Sequence, residues 1–136
     1  MNEEEIENGC KGGSGTSLMG YSKDLFKKYD YTCVYCENYF GDSFENWMRL
    51  TREHVIPVSR LIGDDEKYKN YDANLRVACS TCNNLANRET YDEFKDLPID
   101  ERIKKTLKAK KEKINERRGV FEDFYKEYVK KNLDKD

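Results

Sequence analysis

The sequence has no apolar run able to cross a membrane: Val55-Ile56-Pro57-Val58 is among its longest, against the roughly 20 residues that a span requires. The acidic opening Met1-Asn2-Glu3-Glu4-Glu5 lacks the basic start and apolar stretch of a secretion signal. A soluble, intracellular protein without a membrane partner is expected. Internal repeats are missing too. At 136 residues the chain is one ordinary domain with a short appendage, too small for two independent cores, which excludes a large multidomain enzyme. Apolar residues amount to 37%, below the charged share of 38%, yet 10 Tyr, 6 Phe and 1 Trp oppose global disorder. The composition predicts a small aromatic core under a charged coat.

A net charge of -2 conceals an uneven distribution. Residues 1–20 carry one Lys and four Glu, and residues 21–96 carry 11 basic and 14 acidic residues, whereas residues 97–136 carry 13 basic and 9 acidic. The tail is therefore basic. Between Glu101 and Arg118 nine Lys or Arg face three Glu, dense enough for an electrostatic footprint on phosphates, although charge alone fits a solvated helix face equally.

Five cysteines in a reducing compartment point to metal or catalysis before disulfides. Cys33-Val34-Tyr35-Cys36 and Cys79-Ser80-Thr81-Cys82 are two C-x-x-C knuckles, each able to place two thiolates on one ion. Together they supply the four ligands of a closed tetrahedral zinc site, which holds a fold and leaves no open position for chemistry. Cys10 stands apart in an acidic segment with Gly12-Gly13-Ser14-Gly15, which reads as a flexible leader over residues 1–20.

The remaining pattern predicts a helix from Ser22 through Lys28, with Ser22 as its cap, and a strand within residues 47–58 that turns at Pro57. Residues 63–72 read as a loop, residues 74–79 as a second strand, and residues 82–88 as a helix starting inside the second knuckle. Thr90-Tyr91-Asp92-Glu93 has the capping-box pattern. Pro98 opens a long helix that Gly119 is expected to stop near Arg118. A last amphipathic helix follows over residues 120–133, with Phe121, Phe124, Tyr125, Tyr128 and Val129 as core-facing residues.

Histidine occurs once, so its neighbours are informative. Glu53-His54-Val55-Ile56-Pro57 joins a carboxylate and an imidazole at a strand end, while Asn74 and Asn83-Asn84 lie on the strand and helix that the second knuckle anchors. A lone histidine is more often structural; beside Glu53 and two knuckles the catalytic reading leads. Over about Tyr21 to Phe94 the sequence resembles the HNH endonucleases, whose motif reads C-x-x-C, then (D/E)-H-V-x-P, then N-L-x-x-x-C-x-x-C-N.

The resemblance implies an α+β fold, a small ββα-metal nuclease core over residues 21–96 stapled by a four-cysteine zinc site, with a basic helical extension over residues 97–136. It makes His54 the general base, Glu53 and Asn83 the ligands of a catalytic metal, and Asn74 the residue that braces loop and histidine. Glu and Asn offer hard oxygens that suit Mg²⁺ or Mn²⁺. A neutral imidazole can take a proton from an attacking water near pH 7. The implied activity is hydrolysis of DNA to 5′-phosphate and 3′-hydroxyl ends. Many relatives carry histidine where this chain has Asn83, and a lysine where it has Ala86. Phosphate contacts must then come from Arg76, Arg88 or the tail, with Lys104, Lys108 and Lys111 foremost. The expected setting is cytoplasmic, or intracellular on behalf of a phage or mobile element, as a monomer or homodimer. Two alternatives keep the scaffold without the reaction: a zinc-stabilised DNA-binding module and a protein-interaction adaptor.

Overall fold

A computed structural model of the chain describes residue 18, residues 22–86 and residues 89–134. Cys10, most of the expected leader and Arg88 lie outside the described residues. Leu18 packs on the edge of the core.

Helix α1 (Ser22–Lys28) buries Phe26 and ends where Asp30 and Tyr31 take left-handed backbone, φ 52° and 53°, which turns the chain into the first knuckle. Ser22 is the first helical residue and not a cap. Its buried hydroxyl has no hydrogen-bond partner among the described residues. A short helix α2 (Phe44–Trp47), capped by Ser43 Oγ accepting from Asn46 N at 3.1 Å, occupies the start of what the sequence suggested as strand. The strand β1 is therefore only Leu50–His54.

It pairs antiparallel with β2 (Leu75–Cys79), His54 opposite Leu75 and Leu50 opposite Cys79. Residues 55–74 connect them through 3₁₀ turns at Val58–Arg60, Gly63–Tyr68 and Asp72–Asn74, so the expected loop is largely turned backbone. Helix α3 (Ser80–Ala86) starts at the end of β2 without a connecting residue. The capping box does not form: Asp92–Phe94 is a single 3₁₀ turn whose preceding Tyr91 sits at φ 53° without a side-chain cap bond.

Helix α4 (Ile99–Phe124) departs most from the sequence reading. It runs through Gly119, continues as a π-helical segment Tyr125–Lys130 and ends with Lys131–Leu133. An interior glycine costs a helix about 1 kcal/mol relative to alanine, too little to stop one that its flanks support, and Gly119 lacks the positive φ of a helix-ending glycine. The residues expected in the core at this end are outside it: Phe121, Phe124 and Tyr128 are each about 60% exposed.

Two apolar clusters make the core. One gathers Phe26, Tyr35, Leu50, Val77 and Ile114 around the four knuckle cysteines, and the other gathers Val55, Ile56, Leu61 and Ile103 under the connection after β1. Ile103 and Ile114 both belong to α4, so this helix closes the two clusters together. The result is a two-stranded antiparallel sheet flanked by short helices and backed by one long helix.

Candidate active site

The first knuckle is docked on the sheet before any metal is considered. Val34 N donates to Val77 O at 2.8 Å, and Cys33 N donates to Asn38 O at 3.0 Å, which holds the knuckle above the end of β2 where the second knuckle begins. The sulfurs of Cys33, Cys36, Cys79 and Cys82 consequently lie within 4.8 Å of one another, Cys36 and Cys79 at 4.0 Å. A tetrahedral zinc with bonds near 2.3 Å sets its sulfurs roughly 3.8 Å apart, so the cluster can hold that ion. Hydrogen bonds from Cys33, Cys79 and Cys82 push the Cys36 thiol far down, while those with Cys33, Cys36 and Cys79 push Cys82 far up. The four converging sulfurs offer a metal ion a complete ligand set.

Helix α4 fastens both knuckles with polar side chains. Asn115 Nδ2 donates to Tyr35 O at 2.9 Å, Lys111 Nζ lies 2.8 Å from Glu37 Oε1, and an Arg118 guanidinium nitrogen reaches Cys82 Sγ at 3.7 Å. Arg117 bonds Leu85 O and Glu89, the latter at 2.6 Å. Partial desolvation works against the charge on Arg118, but the sulfurs of Cys82, Cys36 and Cys79 outweigh it and raise its pKa.

Below this cluster a pocket of about 260 Å³ is lined by Arg52, Glu53, His54, Pro57, Val58, Asn83, Ala86, Glu89 and Lys110. Three residues singled out in the sequence, Glu53, His54 and Asn83, thus meet in one cavity. Asn83 Nδ2 donates to Thr51 Oγ1 at 3.1 Å, and Thr51 Oγ1 donates to Ala78 O at 2.7 Å, so the asparagine is tied across both strands. Asn74 is fully buried outside the cavity. Its Oδ1 accepts from Ile56 N at 2.8 Å, its Nδ2 donates to Ile56 O at 3.2 Å, and its carbonyl accepts from Val55 N at 2.9 Å. The chain leaving His54 is clamped there.

Glu53 is 6% exposed, and its Oε2 has no hydrogen-bond partner among the described residues; nor does the buried hydroxyl of Tyr35, whose influence reaches the carboxylate. Lys110, 2% exposed, places Nζ 3.7 Å from Glu53 Oε1, an ion-pair distance rather than a hydrogen bond. Burial raises the pKa of Glu53 and lowers that of Lys110, in each case against the attraction of the other. At this separation desolvation wins on both sides. His54 is held below the ordinary imidazole value by burial first, then by the positive charges of Arg52 and Lys110. A neutral imidazole, a hard carboxylate oxygen and an amide in one cavity suit a hard divalent cation and proton transfer.

Other sequence-derived residues are dispersed. Arg76 sits beside Glu53 across the sheet but lies with its guanidinium 5.1 Å from the Tyr29 ring centre, away from the pocket lining. Lys104 and Lys108 are exposed on α4, and Lys111 is engaged by Glu37. Sequence reasoning passed over Lys110 and Tyr35. For Lys110 a signal exists: it lies seven residues after Ile103 and four before Ile114 on the buried stripe of α4, so a lysine stands where an apolar residue is due.

Residues 33–89 match the family model described as HNH endonuclease. No curated protein and no solved structure matches the chain at a significant level. The two knuckles, the sheet between them and every pocket residue except Lys110 therefore fall within residues 33–89, the stretch that is similar to the HNH endonucleases.

Proposed function

We propose that the protein is a metal-dependent DNA endonuclease that leaves 5′-phosphate and 3′-hydroxyl ends. The observation that carries this reading is the convergence of Glu53, His54 and Asn83 on one pocket, with a buried carboxylate oxygen that has no hydrogen-bond donor among the described residues. The four cysteines would hold zinc, which would tie the sheet and α3 to the first knuckle. Glu53 and Asn83 would hold Mg²⁺ or Mn²⁺, which when bound offsets the negative charge that develops on a phosphate and its leaving oxygen. His54, kept neutral by burial and two nearby cations, accepts a proton from the attacking water. Asn74 fixes the backbone from which the imidazole projects by clamping Val55 and Ile56.

The alternative of a zinc-stabilised DNA-binding module has one observation in its favour: Lys110 already offers Glu53 a counter-charge. Cleavage of plasmid DNA with Mg²⁺ or Mn²⁺, followed by mapping of the ends, separates the two. His54→Ala should reduce turnover by about 10²-fold or more while binding to DNA persists, the usual size of a general-base contribution. Full activity in that variant refutes the assignment, and a wild-type protein that binds DNA without cutting it under any divalent metal supports the module.

A further inference from the structure

The pocket has a contributor from outside the HNH stretch. Lys110 reaches it from α4, which begins ten residues after the matched segment ends. An ammonium has three protons to donate, and Lys110 Nζ meets three acceptors: Val55 O at 2.5 Å, His54 O at 3.3 Å and, at ion-pair distance, Glu53 Oε1 at 3.7 Å. These belong to three consecutive residues. His54 is the last residue of β1, so beyond its pairing with Leu75 the sheet no longer defines the path of the chain. Asn74 secures Val55 and Ile56 from the β2 side, and Lys110 secures His54 and Val55 from the helix side.

We propose that Lys110 is a positioning residue for the reaction in this pocket, setting the backbone under His54 through two carbonyls and restraining the carboxylate of Glu53 through its charge. The inference rests on the nuclease reading for its catalytic consequence, and on the geometry alone for its effect on Glu53. Burying a lysine at 2% exposure is costly, and an apolar residue would satisfy the stripe of α4 more cheaply. What an apolar residue cannot do is bind two carbonyls and a carboxylate at once. A cation entering beside Glu53 must also share that carboxylate with the ammonium, so Lys110 weakens the site for divalent metal while shaping it.

Lys110→Met and Lys110→Arg in the full chain test this, each checked for one zinc per chain and for its melting temperature. In Lys110→Met, Mn²⁺ titrations followed by calorimetry and by thermal shift should reach their midpoint at several-fold lower metal, because the competing charge is gone. Turnover on plasmid DNA should fall by about tenfold or more with the dissociation constant for DNA unchanged, as expected when a reacting group is misplaced and not removed. Lys110→Arg keeps the charge but not the compact trident, and should lose turnover while retaining the wild-type metal midpoint.

A purely structural lysine predicts otherwise: lower melting temperature in both variants, with turnover and metal midpoint unmoved once the protein is folded. That result overturns the proposal. If Lys110→Met fails to fold, Lys110→Arg decides: a folded Arg variant with wild-type turnover overturns the positioning role. Should the wild-type protein not cleave at all, the nuclease reading fails, yet the Mn²⁺ midpoint of Lys110→Met still decides whether Lys110 restrains Glu53.

Discussion

Asn74 shows how much one side chain can fix when its donors and acceptor all face backbone. It is wholly buried, and its amide occupies both the N–H and the carbonyl of Ile56. Asn74→Ala leaves those two groups buried without partners, at roughly 1–3 kcal/mol each, so the variant should lose about 2–6 kcal/mol of stability. The midpoint of urea denaturation measures this, and an unchanged midpoint would mean that water replaces the amide. Asn74, Glu53, His54 and Asn83 stood out in the sequence because they occupy the positions of the HNH-like motif, and the resemblance implied their roles. Lys110 could not be placed that way, since 55 residues separate it from the carbonyl it bonds most closely. Its position in an apolar stripe was visible, but a buried cation is recognised only once its acceptors are known. Tyr35 was hidden differently: it lies inside a C-x-x-C spacing whose cysteines absorb the attention.

Among the elements, β1, β2 and the knuckles were legible because short strands flanked by metal-ligand spacings leave few alternatives. The long helix was not. Reading Gly119 as a stop weighed a local preference against nothing, whereas the 26 residues of α4 are supported by buried contacts from Arg102 to Ile114 and by side-chain bonds to both knuckles. A Cβ at Gly119 would meet no atom within 4 Å. Gly119→Ala should therefore raise stability by up to about 1 kcal/mol and increase helicity in circular dichroism, and a loss of either would show that the helix bends there. The cysteine cluster makes the opposite case. Zinc binding supplies on the order of 10 kcal/mol in small metal domains, comparable with total stability, so Cys33→Ser or Cys79→Ser should yield protein that lacks zinc and cooperative unfolding. Retention of one zinc and of a normal melting transition in either variant would count against a structural site built from the four cysteines.

At the scale of the whole molecule, the basic tail divides into internal and external charge. Lys110, Arg117 and Arg118 are turned to the core and the knuckles, and Lys111 makes an exposed pair with Glu37 that is worth less than about 1 kcal/mol. Lys104 and Lys108 remain exposed on the same helix. If they meet phosphates, Lys104→Glu with Lys108→Glu should lower the slope of log affinity against log salt by about one unit per lost contact, on any DNA sequence. An unchanged slope would assign them to solvent. Chain length gives a second check. A chain ending at Arg118 keeps every buried residue of α4 and should retain zinc, whereas one ending at Leu97 loses Ile103, Lys110 and Ile114 and should not fold.

The attachment of α4 to the zinc knuckles also fixes its rotational phase. Successive residues of a helix are about 100° apart, so Lys110 and Arg117 point along nearly the same line, one into the pocket and the other onto α3 and Glu89. Turning the helix by a single residue would carry the ammonium off the carbonyls of His54 and Val55. Asn115 and Arg118, gripping one knuckle each, prevent that turn. The cysteine cluster therefore acts as an index mark for the pocket: by holding the azimuth of one helix, it sets which side chain faces the carboxylate of Glu53.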